Sequence, residues 1–365
     1  MDERNIVVIN KFLSESDNST GYLLNNIFKR AKEGNSVELV ALNYHSEFKK
    51  ISLIWRIYYS IIETRELLKK LSKLKLSANS TIISGSNPFL LNLLIGFNKK
   101  KYNDAKWKPI ILDFFPLNFA YLVGLKKGSY LSKLFEKFSV FFYKNADLIL
   151  TTNQRIKEIF EEYSEVKVIS VETWIMPDDI AYKSHEERQG PLNFQFLGNI
   201  SALQNMPFVV NSFLKAEGDF IFEIFGEGTA AKKIKHMLGT SKNKVRYLGP
   251  SRYVLDNEKL TDADISVVSL LPGIEDCAVP SKAYYSILSG IPILYFGPKN
   301  SHLGKLIDKT KVGFIIDEHE TNMASKKIND IVKNYKRNSL QPRKNYLQSE
   351  QFLQIEQELE YFING

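Results

Sequence analysis

The sequence predicts an α/β protein built of two parallel-sheet units in tandem. Short apolar runs bounded by Gly, Asn or Pro alternate with segments of helical period along the whole chain, which is the pattern of parallel α/β units. At 365 residues the chain is too long for one compact core and comfortable for two. A charged stretch without apolar residues, SHEERQG at Ser184–Gly190, interrupts the alternation, and the pattern restarts after it. The expected organisation is therefore a first domain over 1–183, a linker over 184–191, a second domain over 192–340, and a closing helix in 341–365 placed to pack back on the first domain.

In the first half, Asn5–Asn10 reads as a buried strand. Thr20-Gly21 opens a helix with Tyr22, Leu23, Ile27, Phe28 and Ala31 at helical spacing; Gly34 ends it, and Val37–Leu42 is the next strand. This start is Rossmann-like, but its loop is not G-x-G-x-x-G, so a dinucleotide cofactor is not indicated. Ile51–Lys75 reads as a long helix with an apolar stripe (Ile54, Ile57, Tyr58, Ile61, Ile62, Leu68, Leu71) and a basic end that suits the helix dipole. Thr81–Ser84 is a strand, and an apolar helix follows Asn87-Pro88. Pro109–Phe115 is a strand with Asp113 near its carboxyl end, where open α/β sheets bind ligands. Asp113 is equally suited to capping a helix that begins near Leu117, and both readings stand. The next helix interleaves Lys126, Lys127, Lys133, Lys137 and Lys144 with Tyr130, Leu131, Leu134, Phe135, Phe138, Phe141 and Phe142. A core-facing aromatic stripe with a solvated Lys face is the favoured reading; contact with a membrane surface is the other. Ala146–Thr152 and Val166–Val171 complete the half as strands.

Composition narrows the function classes. A single cysteine, Cys277, excludes an internal disulfide framework and fits a reducing compartment. The N-terminus lacks a signal-peptide pattern, and no apolar run approaches the roughly 20 residues that span a bilayer. The expectation is a cytoplasmic protein, at most peripheral at the inner face of the membrane. A net charge of +8 is compatible with nucleic acid, acidic lipid or phosphorylated small molecules. No zinc-knuckle, helix-turn-helix or RNP pattern accompanies it, so nucleic acid is not expected. His45, His185, His236, His302 and His319 are scattered, without metal-ligand or Ser-His-Asp spacing, and no metal is expected.

The second half is organised around residues 276–297. Leu192–Leu197 is a strand followed by the turn Gly198–Ser201; a helix runs from about Leu203 to Lys215; Phe220–Phe225 is a strand ending in Gly226-Glu227-Gly228. Val245–Leu248, Asp264–Leu271, Ile293–Phe296 and Gly313–Ile316 are further strands, and Met323–Tyr335 and Gln351–Phe362 are closing helices. Before Ile293, Pro280 suits a first helical turn, Ser281 a cap or early-turn position, Ala283, Ile287 and Leu288 the buried side, and Gly290 the stop. Lys282 sits in the first turn, where the macrodipole repels it. That conflict points to an anion at this helix start, because N–H groups plus a Lys make a phosphate site; a Lys turned to solvent is the plainer reading.

The ordered set Gly198-Asn199, Gly226-x-Gly228, Tyr247–Gly249, Ala263-Asp264 and Val279-Pro280-Ser281-Lys282, closing on Gly290-x-Pro292, resembles the donor-binding half of GT-B glycosyltransferases of family 4, in their bacterial surface-polysaccharide branch. The first half resembles them only in outline, as suits a variable acceptor side. The resemblance implies two Rossmann-like domains facing a central cleft. It implies a retaining, metal-independent transfer of a sugar from a nucleotide donor, a UDP-sugar, to a surface-glycan or lipid-linked saccharide, with no cofactor besides the nucleotide-sugar co-substrate. It marks Gly198, Asn199, Ser201, Gly226, Gly228, Ser281, Lys282 and Tyr285 as donor-binding, Asp113 and Lys282 as catalytic, and Thr20 and Gly21 as an acceptor-side loop. Two departures stand out. Cys277 and Tyr285 occupy the places of the family's Glu-x7-Glu pair, and a tyrosine cannot accept from ribose hydroxyls as a carboxylate does; Glu275 or Asp276 is the stand-in for the first Glu. Asn199, Gln204 and Asn205 replace the usual Arg and Lys after the Gly198 turn, so Lys282 carries more of the charge. A UDP-sugar 2-epimerase of similar fold and a non-catalytic donor-binding or scaffolding subunit are the rival readings.

Overall fold

The computed structural model describes residues 5–11, 19–42, 53–88, 90–112, 114, 117, 128–171, 175, 177–180, 182, 189–200, 204–239, 244–250, 263–271, 280–317, 319–337 and 339–365. The chain divides into two compact units, Met1–Trp174 with Ile355–Gly365, and Ile175–Gln354. Of the expected linker at 184–191, residues 184–188 lie outside the described residues.

The first unit runs β1 (Asn5–Ile9), α1 (Ser19–Ala31), β2 (Ser36–Val40), α2 (Leu53–Leu71), β3 (Thr81–Ser84), α3 (Leu90–Phe97), β4 (Lys106–Ile111), α4 (Tyr130–Phe141), β5 (Ile149–Thr151), α5 (Gln154–Tyr163) and β6 (Val168–Ser170). Its sheet has the order β2-β1-β3-β4-β5-β6, with every pairing parallel. Helices cover both faces of such a sheet, so its strands read as continuous apolar runs; Ile6–Ile9, Ile82-Ile83, Ile110-Ile111 and Ile149-Leu150 are all buried. Trp107 stacks on Tyr143 at 6.0 Å between centroids, and Phe114 and Phe160 extend the cluster.

The second unit runs β7 (Leu192–Leu197), α6 (Met206–Leu214), β8 (Phe220–Phe225), α7 (Ala231–Leu238), β9 (Val245–Gly249), β10 (Ile265–Ser269), α8 (Ser281–Leu288), β11 (Ile293–Phe296), α9 (His302–Thr310), β12 (Gly313–Ile316), α10 (Thr321–Asn334) and α11 (Pro342–Leu347). A last helix, α12 (Glu350–Asn364), carries the chain into the C-terminal segment of the first unit. The second sheet is also wholly parallel, in the order β12-β11-β10-β7-β8-β9. Counted within the unit this is the doubly wound order 6-5-4-1-2-3, whose connections reverse direction between β7 and β10. Ligands of such sheets bind outside the carboxyl ends of the strands at that reversal.

Several bounds differ from the sequence reading. The helix expected over Ile51–Lys75 spans Leu53–Leu71, so Lys73 and Lys75 lie beyond it; it buries Ser60, Glu63, Thr64, Leu67 and Leu71 and turns Tyr58 and Ile61 outward. β4 starts at Lys106 rather than Pro109, because Lys108 finds carbonyl partners and enters the core. On α4 the stripe is split: Phe135 and Phe142 pack half-buried against the core and Lys133, Lys137 and Lys144 are solvated, as the favoured reading has it, but Tyr130, Leu131, Leu134, Phe138 and Phe141 face outward and Ser132, Glu136, Ser139 and Val140 face inward. Helices α5, α7, α9 and α11 had no counterpart in the sequence reading.

Candidate functional site

The site is built by the loops that leave β7 and β8 and by the start of α8. The chain leaves β7 through Gly198 (φ 140°) and β8 through Gly226 (φ 146°) and Gly228 (φ 150°), conformations that side chains with a Cβ rarely adopt. The loops are laced by backbone bonds: Gly198 N donates to Phe225 O at 2.9 Å, Ile200 N to Glu227 O at 2.8 Å, and Ala230 N to Ile200 O at 2.9 Å. Beneath them, Tyr247 Oη donates to Gly226 O at 2.7 Å. A Cβ on Gly226 would overlap the carbonyl oxygen of Gly198, and one on Gly228 would overlap Asn199 Oδ1 and Ile200 O. Gly226 and Gly228 are therefore fixed by close backbone approach.

Lys282 completes the corner. A Cβ on Gly198 would overlap its Nζ, so the ammonium rests directly on the Gly198 backbone. Its Nζ also lies 5.4 Å from the centroid of the Phe196 ring. Burial lowers its pKa to about 8. The solvent-facing reading of this lysine is therefore not what the fold adopts. Pro280 rather than Ser281 takes the cap position of α8, without a side-chain cap bond, and Ser281 is the first helical residue. Ser286 Oγ donates to Ser266 Oγ at 2.8 Å and so ties α8 to β10. Tyr285 is buried, its hydroxyl oxygen closed off from solvent, a position that favours packing over contact with a ribose.

A cavity of about 170 Å³ opens at the carboxyl ends of β10 (Ser269, Leu270), β11 (Phe296, Gly297) and β12 (Ile316, Asp317), closed by Asn205 and Phe208 of the α6 start and by His319. It shares no lining residue with the Gly198–Lys282 corner. Phe208, Ser269, Asp317 and His319 escaped the sequence reading, although Ser269 and Asp317 each end or follow a strand, where ligand sites form. Of the remaining candidates, Asn199 and Gly228 are exposed beside each other, and Gly21 is buried in the first turn of α1, next to Thr20. Ser201, Asp113, Glu275, Asp276 and Cys277 lie outside the described residues.

Solved structures share this architecture. Sucrose-phosphate synthase from Thermosynechococcus elongatus superposes with a TM-score of 0.68 at 10% identity, covering 100% of both chains. HepE from Anabaena, solved in complex with UDP and glucose, gives 0.66 at 11% identity over 98% of this chain and 99% of that one. No family model matches the sequence. A curated relative, the probable glycosyltransferase WbjE of Pseudomonas aeruginosa, is 25% identical over 341 residues, 85% of this chain and 84% of that protein. The chain is a glycosyltransferase of the GT-B fold. Its Gly198–Lys282 corner thus belongs to the second of a GT-B enzyme's two Rossmann-like domains. S. aureus TarM also matches, with a TM-score of 0.58 at 17% identity; this transferase spans 58% of the TarM chain, under two thirds of its length.

Proposed function

We propose that this transferase moves a sugar from a nucleotide donor, a UDP-sugar, to a saccharide acceptor on a surface glycan or a lipid carrier, with retention of configuration and without a metal ion. The observation that carries the reading is the seating of Lys282 Nζ on the Gly198 backbone at the start of α8, beside the reversal between β7 and β10. As the glycosidic bond breaks, the departing diphosphate gains negative charge. A cation held in a partly desolvated corner stabilises that charge more strongly than the same cation in water. Gly198, Gly226 and Gly228 would let backbone approach the diphosphate without a Cβ clash, and Ser281 and Asn199 supply nearby polar groups. UDP is preferred as the carrier because HepE and TarM are solved with it.

On the acceptor side, Asp113 is assigned to orient or deprotonate the acceptor hydroxyl, with Thr20 and Gly21 in the same role of acceptor contact. Asp113→Asn should lower turnover by about 10² or more with donor binding unchanged; unchanged turnover returns Asp113 to helix capping. Peripheral attachment to the inner face of the membrane, where a lipid-linked acceptor would reside, belongs to the same reading.

The deciding experiment is a thermal-shift panel of nucleotides and nucleotide sugars on the wild type and Lys282→Ala. A ligand at about 100 times its Kd stabilises by roughly 2.7 kcal/mol, which is a readable shift. Stabilisation by UDP species that the variant loses is the expected result. No response to any nucleotide would overturn the reading.

A further inference from the structure

We propose that the outward face of α4 seats this protein on an anionic lipid surface. An amphipathic helix at the edge of a folded domain normally turns its apolar side inward. Here Ser132, Glu136 and Ser139 face inward with Val140, Phe135 and Phe142 pack half-buried against the core beside them, and Tyr130, Leu134, Phe138 and Phe141 face outward; Tyr130 is 88% exposed. Positions 130, 134, 138 and 141 fall on one side of a helix, so the exposed groups form a continuous stripe. At its C-terminal end the stripe continues onto the exposed Phe97 of α3, whose ring lies 6.1 Å from that of Phe141.

The fold tolerates the reversal because the inward polar groups are satisfied locally. Ser132 Oγ donates to Ser129 O at 2.9 Å, Ser139 Oγ to Phe135 O at 2.8 Å, and Glu136 accepts from Arg155 at 3.4 Å. Nothing in these contacts compensates the outward apolar area, and a stripe of this kind calls for cover.

Charge selects the cover. Lys133, Lys137 and Lys144 are exposed along and just beyond the helix, and Lys100 and Lys101 are exposed just after Phe97. The one acid of α4, Glu136, is the inward group already paired with Arg155. On the adjacent α5, Glu158 is paired with Arg155 at 3.5 Å and Glu161 with Lys157 at 4.0 Å. A second copy of this chain would set lysines against lysines. Aromatic rings flanked by lysines instead match the boundary of an anionic bilayer, with rings at headgroup depth and ammonium groups at the phosphates. Among the described residues no helix is long and apolar enough to cross a membrane, so this contact lies on the surface. The inference deepens the proposed membrane attachment and rests on it, but it is read without nucleotide or sugar, so its failure leaves the transfer reading standing.

The test is co-sedimentation of the full chain with vesicles of phosphatidylcholine alone or mixed with phosphatidylglycerol. The wild type should bind the mixed vesicles and not the neutral ones, and added salt should weaken the binding. Phe138→Ser with Phe141→Ser should lose at least about tenfold in partitioning. Lys133→Gln with Lys137→Gln and Lys144→Gln should lose roughly 10²-fold. All five side chains are exposed, so both variants should keep the wild-type thermal midpoint. Binding by the Phe variant at wild-type strength, or equal binding to both vesicle types, would overturn the proposal. Binding to neither would reassign the face to a protein partner and overturn it equally.

Discussion

Lys282 works against the fold that holds it. Burial lowers its pKa to about 8, so its charged form costs folding free energy wherever the proton is held. Below about 8 both folded and unfolded chains carry the proton and the whole cost stands. Between there and the ordinary lysine value the unfolded chain keeps a proton that the folded one releases, so stability rises with pH across that window. Lys282→Met should therefore be more stable than the wild type at neutral pH, with the difference shrinking as pH climbs toward about 10. Identical midpoints throughout would show that the ammonium is not desolvated. Bound diphosphate acts in the opposite direction. It raises the lysine pKa again, so above about 8 binding takes up a proton and affinity falls by up to about tenfold per pH unit. Calorimetric titration of UDP across this range should give that slope for the wild type and a weak, flat profile for Lys282→Met. The neighbouring glycines separate two kinds of damage. Gly198→Ala is strained by its φ and pushes against the movable end of Lys282, so it should lose nucleotide binding at a cost of about 1–3 kcal/mol. Gly226→Ala meets the fixed carbonyl of Gly198 and should cost more stability, measured by urea midpoint.

The element that presents Lys282 is held by its last turn. There Ser286 bonds Ser266 of β10, and Arg343 of α11 donates to Leu288 O at 2.6 Å, Pro177 O at 2.8 Å and Ile180 O at 3.3 Å. One planar guanidinium reaches three carbonyls because its donors are fixed in a fork. Arg343→Lys keeps the charge but not the fork, and should cost roughly 1–3 kcal/mol in a urea titration; no loss would mean that solvent satisfies those carbonyls. Arg343 was invisible in the sequence, because three carbonyls distant along the chain give no local signal. The strands were legible for the opposite reason. Strands of a parallel sheet covered by helices read as short, mostly apolar runs between turn residues, so Thr81–Ser84, Leu192–Leu197, Phe220–Phe225, Ile293–Phe296 and Gly313–Ile316 appear with the expected bounds, even where Asn193, Gln195 or Glu223 interrupts the run. Short helices hide better: α7 buries only Ala231 and Ile234, too few to show a period. In α4 the period was plain, but the face that docks was not, because serines bonded to their own backbone can pack inward as readily as small apolar residues. At the site, Gly198, Gly226, Gly228 and Lys282 could be picked out by motif and are brought together, whereas the cavity lined by Phe208, Asp317 and His319 exists only once strand ends are assembled.

At the scale of the whole molecule, the first unit is made from two pieces of chain, Met1–Trp174 and the terminal Ile355–Gly365. A lysine in an inner strand of a parallel sheet is a poor choice unless something accepts its protons. Lys108 on β4 is 2% exposed and donates to Phe362 O at 2.6 Å and Ile363 O at 3.2 Å, the carbonyls that end α12. A cation suits that end of a helix, where carbonyl groups lack partners and the dipole is negative. Arg30 adds a two-pronged pair with Glu356, at 2.6 and 2.8 Å. The strand and the terminal helix thus complete each other, and each is costly alone. Lys108→Met in the full chain should lose roughly 1–3 kcal/mol, because buried carbonyls are left without a donor. In a chain ending before Ile355 the sign should reverse, since the lysine is then a charge without its acceptors and methionine relieves it. Urea midpoints of the four proteins in this cycle measure the coupling directly. Equal loss in both backgrounds would show that Lys108 serves the sheet and not the helix; a sign change would show that the last helix is what allows a lysine in β4.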